Sequence, residues 1–597
     1  MSERMQLSLA DVTLAWTPFL VAFVVIPTAI YVPNQIEFEY ELTPILAHVA
    51  MSVLILGALL GLVLLKSAAR SRVASALFFI GLFIFISDII APLQWGEFNG
   101  NEKLTEPLRF TLLQGALAGV CAGLWYLVPI KFVRTVGVPV VCALLAVQVY
   151  ELTRACLEAS SNALPARALA ADKSNKSDRK LPNIYHFVFD AYSSLIFLDS
   201  LKALDLRDDL DGFTFFPRTL SNYPATASSV PSFMSGKLFR GGSFKQFQLD
   251  AKSGGVRRAL QEAGYRISTY SPDRVRPWSY DGADYVVTGR QLARQPIDGF
   301  DAVARLAQIT LVRVAPNFLR QEMFKASGAA LSKIARPVLE IDGVTADYTD
   351  YRYYKFISVP VVKRFIQDEA ARPSSGQYIY LHVVMPHLPQ ILDADCKLTQ
   401  PSPDPIIGYT AQVRCATKLM GEIVDEIKVR GRYDDSAIIF QSDHGMDLEL
   451  GSPYPEPKPP SAQVAEQLRK TNLYFSPEAY FQRLRALLVV KPPSAGKRPF
   501  EIAQTQTQLA DVAATLYHFA GIEGRPSDGV SVFSPEALKP REIEVFTGLH
   551  YQRPDGDLGI LGRNGVLAEK LSEIELAHFG YSSENGWRVY ANIPAAW

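Results

Sequence analysis

Two apolar runs in this sequence end in residues able to bind a cation. IYHFVFD (184–190) closes on Asp190, and SAIIFQS (436–442) leads into Ser442, Asp443, His444 and Gly445. A carboxylate from one run and an Asp-His pair from the other offer hard oxygen and imidazole donors to a divalent ion. Asp at a strand end is often only a helix cap, so Asp190 alone says little. Asp-His-Gly after an apolar run says more, because burying both groups without a purpose is costly. A third stretch, SNYPATASSVPSFMSG (221–236), reads as a loop entering a short helix, with Thr226 at or just before its start. A hydroxyl there lies where backbone N–H groups and the helix dipole attract an anion. The same stretch taken alone is also explained if Thr226, Ser228 or Ser229 simply caps the helix.

The elements that must position these residues alternate between strand and helix. Continuous apolar or β-branched runs at 184–190, 265–271, 378–385, 436–442 and 486–491 predict strands buried on both faces. Between them VRRALQEAG (256–264), YTAQVRCATKLMGEIVDEIKV (409–429) and LADVAATLYHFAG (509–521) carry helical periodicity. This alternation predicts a mostly parallel sheet covered by helices on both sides, with ligands at the carboxyl ends of its strands. No internal repeat and no long low-complexity tract interrupts it.

Ahead of this region the composition is different. The chain has 597 residues, too many for one core, and its 60 Lys+Arg balance 60 Asp+Glu, which leaves no basic stripe for nucleic acid. The mean hydropathy of +0.08 is high, and the excess lies before Leu157. Five apolar stretches, at 13–32, 44–65, 73–93, 110–130 and 132–152, each approach the roughly 20 residues needed to cross hydrocarbon. Trp16, Tyr31, Trp95, Trp125 and Tyr126 fall near their ends, where amphipathic rings favour the interface. Lys66, Arg70 and Arg72 follow the second stretch, and Lys131 and Arg134 the fourth. The loop after the first holds Glu37, Glu39 and Glu41 and no Lys or Arg. Positive charge marks the cytoplasmic side, so the amino terminus is expected inside and everything after the fifth stretch outside.

The domain boundaries follow: a five-helix transmembrane domain at 1–156, a polar linker at 157–181 and an α/β domain at 182–597. Cys396 and Cys415 are the two cysteines of the outer region, and an even pair in an oxidising compartment predicts a disulfide.

Taken in order, Asp190, the segment around Thr226 and Asp443-His444 resemble the alkaline phosphatase superfamily, in its sulfatase-like branch, over about 182–525. The arrangement of membrane helices before such a domain is similar to lipoteichoic acid synthases and lipid A phosphoethanolamine transferases. The resemblance implies an α/β fold around a divalent metal, Mn²⁺ or Zn²⁺, with Mg²⁺ and Ca²⁺ also compatible. It carries metal ligation onto Asp190, Thr226, Asp443 and His444, and the nucleophile onto Thr226. Sulfatases have a modified cysteine ten residues before a glycine; ten back from Gly236 is Thr226. PHLP (386–389) resembles the segment whose histidine faces the transferred group, which nominates His387.

The departures from the sulfatase pattern bear on the reaction. Ser228 and Val230 stand where the modification motif has Pro and Arg, and threonine cannot become formylglycine. Threonine is the nucleophile of the phosphotransferase relatives. Ala191 replaces a second Asp, which favours a simpler site. The resemblance therefore implies a transfer of phosphoethanolamine or phosphoglycerol type, from a phospholipid donor in the bilayer to an extracytoplasmic glycan or glycolipid. The rivals are a hydrolase of phosphate or sulfate esters on the same site, and a catalytically silent binding or assembly protein of the envelope. Among the other histidines, His186 reads as a core residue, His382 and His550 as residues that either core or site would accommodate, and His518 and His578 as structural. His48, in a membrane stretch, is suspect by its polarity or merely near a helix end.

Overall fold

The computed structural model describes residues 9–32, 42–63, 70–90, 108–162, 181–272, 282–292, 300–334, 338–341, 344–347, 357–450, 462–471, 477–496, 498–547, 550–552, 558–560, 574–576 and 578–596. They form two compact units, one of Met1–Ala163 with Arg294–Val338, the other of Leu164–Ala293 with Leu339–Trp597.

The first unit is helical. Among the described residues, four helices are long and apolar enough to cross a membrane. These are α1 (Leu9–Tyr31), the Ser71–Ile90 part of α3 (Arg70–Ile90), α4 (Leu108–Leu127), and α5 (Ile130–Asn162) over Ile130–Leu157. The remaining expected stretch, 44–65, forms α2 (Thr43–Val63), whose described apolar part ends at Leu56. Helix α5 runs on to Asn162, into the stretch read as a linker, and 163–180 lie outside the described residues.

Polar contacts tie these helices together at both ends. At one end Arg134 of α5 donates from Nε and Nη2 to the carboxylate of Asp11 in α1, at 2.9 and 2.8 Å. Ser71 of α3 completes that cluster, donating to Asp11 at 2.9 Å and accepting from Arg134 at 2.7 Å. At the other end of α3, Asp88 accepts two hydrogen bonds from Arg313, at 2.8 and 2.6 Å. Arg313 belongs to α8 (Phe300–Val314), which with α9 (Arg320–Ile334) forms a hairpin absent from the sequence-based boundaries. Leu306 is buried in the apolar cluster that also holds Tyr31 and Ile45.

The second unit is a three-layer α/β structure. Its sheet comprises β1 (Ile184–Phe189), β2 (Thr214–Phe215), β3 (Arg266–Ser271), β4 (Tyr285–Thr288), β5 (Gln377–Val383), β6 (Ala437–Gln441), β7 (Leu488–Lys491) and β8 (Glu501–Ile502). The spatial order is β8-β2-β7-β6-β1-β5-β3-β4. The run from β6 to β4 is parallel, while β7 is antiparallel to both β6 and β2. All five expected strands are present.

Strand periodicity explains why the sheet is covered twice. Alternate residues of a strand face opposite sides. Tyr185, Phe187 and Phe189 pack with α10 (Ser358–Glu369) and α11 (Pro405–Val429), through residues such as Phe365, Val413 and Ile423. Ile184 and Val188 pack on the other face with α6 (Thr226–Ser235), α7 (Gly255–Glu262) and α13 (Asp511–Ala520), through Phe233, Leu260 and Leu516. Helix α12 (Pro477–Arg483) leads into β7. The expected Cys396–Cys415 disulfide is formed, with 4.9 Å between Cα atoms, and it fastens the loop after β5 to α11.

Candidate metal centre and active site

Strand register brings the two carboxylates together. β1 and β6 are parallel neighbours with Val188 opposite Gln441, so Asp190 and Asp443, each two residues further on, leave adjacent strand ends side by side. Both are buried, at 5% and 0% exposure. After Asp190 the chain turns through Ala191 in the left-handed region, at φ 62°, and this aims the Ala191 N–H at Asp443 Oδ1, 3.0 Å away. Tyr409 of α11 holds that turn, donating to Ala191 O at 2.7 Å and accepting from the Ser193 N–H at 2.9 Å.

His444 presents one nitrogen to this pair. Its Nδ1 is 2.7 Å from the carbonyl oxygen of Gly445, an atom that can only accept, so Nδ1 carries the proton and Nε2 bears the lone pair. Nε2 lies 3.5 Å from Asp443 Oδ2 and 3.7 Å from Asp190 Oδ1. Burial, with Arg483 nearby, draws the imidazole down to about 4 against the pull of Asp443, so it is neutral at neutral pH. Burial opposes ionisation of Asp443, yet His444, His382, the Thr226 hydroxyl and the Ala191 N–H together hold that carboxyl below its ordinary range. Gly445 is required by close approach: a Cβ there would meet the carbonyl oxygens of Arg485 and Gln482 at 2.6 Å.

Thr226 arrives from the other layer. Ala225 is the N-cap of α6 with no side-chain cap bond, so Thr226 is the first helical residue and the cap explanation does not describe it. Its Oγ1 is 3.4 Å from His444 Nε2 and it is partly exposed. The neighbouring hydroxyls differ. Ser228 and Ser229 are buried, and Ser229 donates to the backbone oxygen of Asp443 at 2.6 Å. Ser221 donates to the same oxygen at 2.7 Å, so the segment entering α6 and the Asp443 loop are pinned together.

The donor set suits a divalent ion. The candidate ligand atoms of Asp190, Asp443 and His444 lie within 4.8 Å of one another. A tetrahedral ion holds its oxygen and nitrogen ligands at about 2.0–2.2 Å, which separates them by roughly 3.3–3.6 Å. The measured separations from His444 Nε2, 3.4 Å to Thr226 and 3.5 Å to Asp443, fall in that range, and 3.7 Å to Asp190 just beyond it. Two carboxylates and a lone pair turned toward one point repel without a cation between them.

His387 lies close by. Its ring centroid is 6.3 Å from that of His444; Nδ1 donates to Leu388 O at 2.8 Å, and Gln412 holds its backbone oxygen at 3.0 Å. Arg483, which sequence patterning did not single out, is buried at the end of α12. It donates to Pro224 O at 2.9 Å, its Nη2 is 3.3 Å from His444 Nε2, and its Nη1 is 3.4 Å from Asp447 Oδ1. Burial lowers its pKa, opposed by Asp447, Asp190 and Asp443. A lone Arg in a short polar helix carries no sequence signal; only the return of the chain into β7 brings it here.

The other histidines separate cleanly. His186 is a satisfied core residue, bonded to Tyr378 and Gln441 at 2.9 Å each. His382 is buried on β5 opposite Val188 and contributes to the potential at Asp443. His578 stacks on Phe546 at 4.6 Å and pairs with Glu544. His48 bonds Pro44 O at 2.8 Å within its own helix, and the side chain of His550 lies outside the described residues.

Residues 199–522 match the sulfatase family model, a span that includes Thr226, His387, Asp443 and His444. No curated protein matches the chain. Similar solved structures include the phosphonate monoester hydrolase of Agrobacterium radiobacter, at 14% identity and a TM-score of 0.37, covering 68% of this chain and 88% of that one. The lipoteichoic acid synthase LtaP of Listeria monocytogenes is similar at 14% identity and TM-score 0.36, covering 69% and 87%. The periplasmic domain of the phosphoethanolamine transferase EptC of Campylobacter jejuni is similar at 12% and 0.33, covering 60% and 94%.

Proposed function

This chain belongs to the sulfatase family of the alkaline phosphatase superfamily and is a sulfatase-like enzyme, and from that premise we propose that it is a membrane-anchored phosphotransferase. It moves a phospho-alcohol group, of phosphoethanolamine or phosphoglycerol type, from a phospholipid to a glycan or glycolipid outside the cytoplasm. The observation that carries this reading is the position of Thr226 Oγ1, 3.4 Å from His444 Nε2, at the first residue of a helix and beside the Asp190–Asp443–His444 donor set. The membrane helices support it, since they keep the site's chain in the bilayer where a lipid donor is confined.

Asp190, Asp443, His444 and Thr226 would hold the divalent ion. Such an ion lowers the pKa of a coordinated hydroxyl and neutralises charge on phosphoryl oxygens.

The protein's own groups do the rest. Thr226 gives up its proton to solvent and Oγ1 attacks the donor phosphorus, forming a P–O bond to threonine as the bond to the lipid oxygen breaks. His387, in the form protonated at both nitrogens with Nδ1–H held by Leu388 O, supplies from Nε2 the proton that the departing lipid alkoxide takes up. Arg483 and the N–H groups of the first turn of α6 face the charge on the phosphoryl oxygens. A hydroxyl of the acceptor then attacks the phosphothreonine while passing its proton to His387; the P–O bond to Thr226 breaks, and Oγ1 takes a proton back from solvent. Arg483, buried with its Nε committed to Pro224 O, needs no reorganisation when that charge develops.

The test is mass analysis of enzyme incubated with lipid donor and no acceptor. A phospho-alcohol adduct on the Thr226 peptide is expected, discharged when glycan is added. Discharge to water at the same rate with or without glycan would make the enzyme a hydrolase, and an adduct on Ser228 or Ser229 would remove Thr226 from the mechanism.

A further inference from the structure

The hairpin of α8 and α9 comes from the middle of the α/β domain's sequence, between β4 and β5, yet it is part of the helical unit. Its helices have 15 residues each, about 22 Å apiece and short of a bilayer crossing. The turn between them, Ala315–Leu319, is held against α4. The Asn317 N–H donates to Gln114 Oε1 at 2.9 Å, and Asn317 Nδ2 donates to Thr111 Oγ1 at 2.8 Å. Both partners lie inside the apolar span Leu108–Leu127, one and two turns from its start.

The turn is therefore level with residues of a membrane-length helix, and its surface matches that level. Leu311, Phe318 and Leu319 are 45%, 63% and 41% exposed, beside a helix whose Leu108, Leu112 and Leu113 are 71%, 65% and 50% exposed. The exposed side chains turn polar about one and two helical turns further along α9, at Glu322 and Lys325. Irregular backbone at membrane depth is tolerated when its polar groups are satisfied within the protein. Here the Ala315 N–H reaches Leu311 O at 3.1 Å, the Leu319 N–H reaches Pro316 O at 2.8 Å, and Gln114 serves Asn317. The ion pair Arg313–Asp88, between the hairpin and a span, is largely shielded, at 18% and 12% side-chain exposure.

We propose that the α8–α9 turn is a lipid-embedded element: Phe318, Leu319 and Leu311 sit among acyl chains beside α4, so that the catalytic sequence is held to the bilayer at a second point besides α5. The occupant of this apolar surface is the phospholipid leaflet, because the surface continues that of α4 and gives way to charge at the distance expected of a headgroup boundary. The inference rests on the reading of α4 as a membrane span.

The experiment introduces one tryptophan into the full-length protein, Phe318→Trp or, as a second position, Leu319→Trp, with Leu112→Trp as the reference on α4. Each variant is reconstituted in phosphatidylcholine vesicles whose acyl chains carry bromine near the glycerol end or near the methyl end, and its emission is compared with that of the unsubstituted protein. The emission added at 318 and 319 should be blue-shifted, and most of it should be lost with bromine near the glycerol end, with little loss to aqueous iodide. Quenching at 112 without quenching at 318 and 319, whether those positions are open to iodide or shielded from both agents by protein, overturns the embedded turn and leaves the anchor standing. No bromine quenching at any of the three positions overturns both.

Discussion

The hydroxyl of Thr226 lies 3.4 Å from Nε2 of His444 across a sequence separation of 218 residues. The contact joins the first residue of a helix on one face of the sheet to the loop that follows β6. The proton of His444 is committed to Gly445 O, so what faces Thr226 is a lone pair.

Thr226→Ala should lower turnover by roughly 10³- to 10⁶-fold, the range seen when a covalent nucleophile is removed. Because Thr226 is not the cap of α6, the melting temperature should change little. Ser229→Ala loses the hydrogen bond to Asp443 O and should cost about 1 kcal/mol of stability, while still forming the covalent intermediate. Steady-state rates and thermal melts on the two variants separate these outcomes; a Thr226→Ala enzyme with normal turnover sinks the mechanism.

Purified protein should contain one divalent ion per chain by elemental analysis. Asp443→Asn keeps an acceptor for the N–H groups of Ala191 and His444 but removes the negative charge, so it should fold and lose nearly all of that ion. Chelation of the native protein should lower its melting temperature, since a ligand bound only by the native state stabilises it, by about 2.7 kcal/mol at a hundred times its dissociation constant. Equal melting temperatures with and without chelator would count against a bound metal.

Arg483→Ala should reduce kcat by about 10²–10³-fold, the loss typical of one preorganised donor to a developing oxyanion. Arg483→Lys keeps the charge but not the fork that reaches Pro224 O and His444 together, and should recover only part of it. Metal content should be unchanged in both. Loss of metal in parallel with activity would instead make Arg483 a support of the ligand loop.

His186 predicts an acid limb of stability. It is fully buried, and burial is the main cause that lowers it to about 3. The unfolded chain takes up a proton below about pH 6.5, whereas the native protein refuses it until about pH 3. The stability His186 leaves intact at neutral pH therefore falls as pH drops through that window. His186→Gln removes the titration, so its melting temperature in detergent should fall less than the wild-type value between about pH 7 and pH 5. Parallel pH dependence of the two proteins would exclude this source.

Much of this molecule is legible in its sequence. Strands buried on both faces must be continuous apolar runs, which is why IYHFVFD and SAIIFQS are legible as strands and the polar residues closing them, Asp190 and Asp443-His444, as candidate ligands. Apolar stretches of membrane length announce themselves for the same reason: a local composition meets a solvent requirement that is also local. Among the described residues four of those stretches form helices of membrane-spanning length and apolarity, and α2 forms over the remaining one, 44–65.

What lay beyond the sequence was every relation made by the return of the chain. Whether Thr226 or Ser229 faces the carboxylates depends on how α6 is rotated on the sheet, and the pinning of Ser229 to Asp443 O decides it. Arg483 reaches His444 only because β7 runs antiparallel beside β6. The hairpin at 300–334 looks in sequence like any pair of amphipathic helices, and its place against α3 and α4 rests on Arg313 finding Asp88 and Asn317 finding Gln114. Periodicity shows that a helix has an apolar face, but the partner of that face is a choice among distant segments that only packing and hydrogen-bond satisfaction in three dimensions can make.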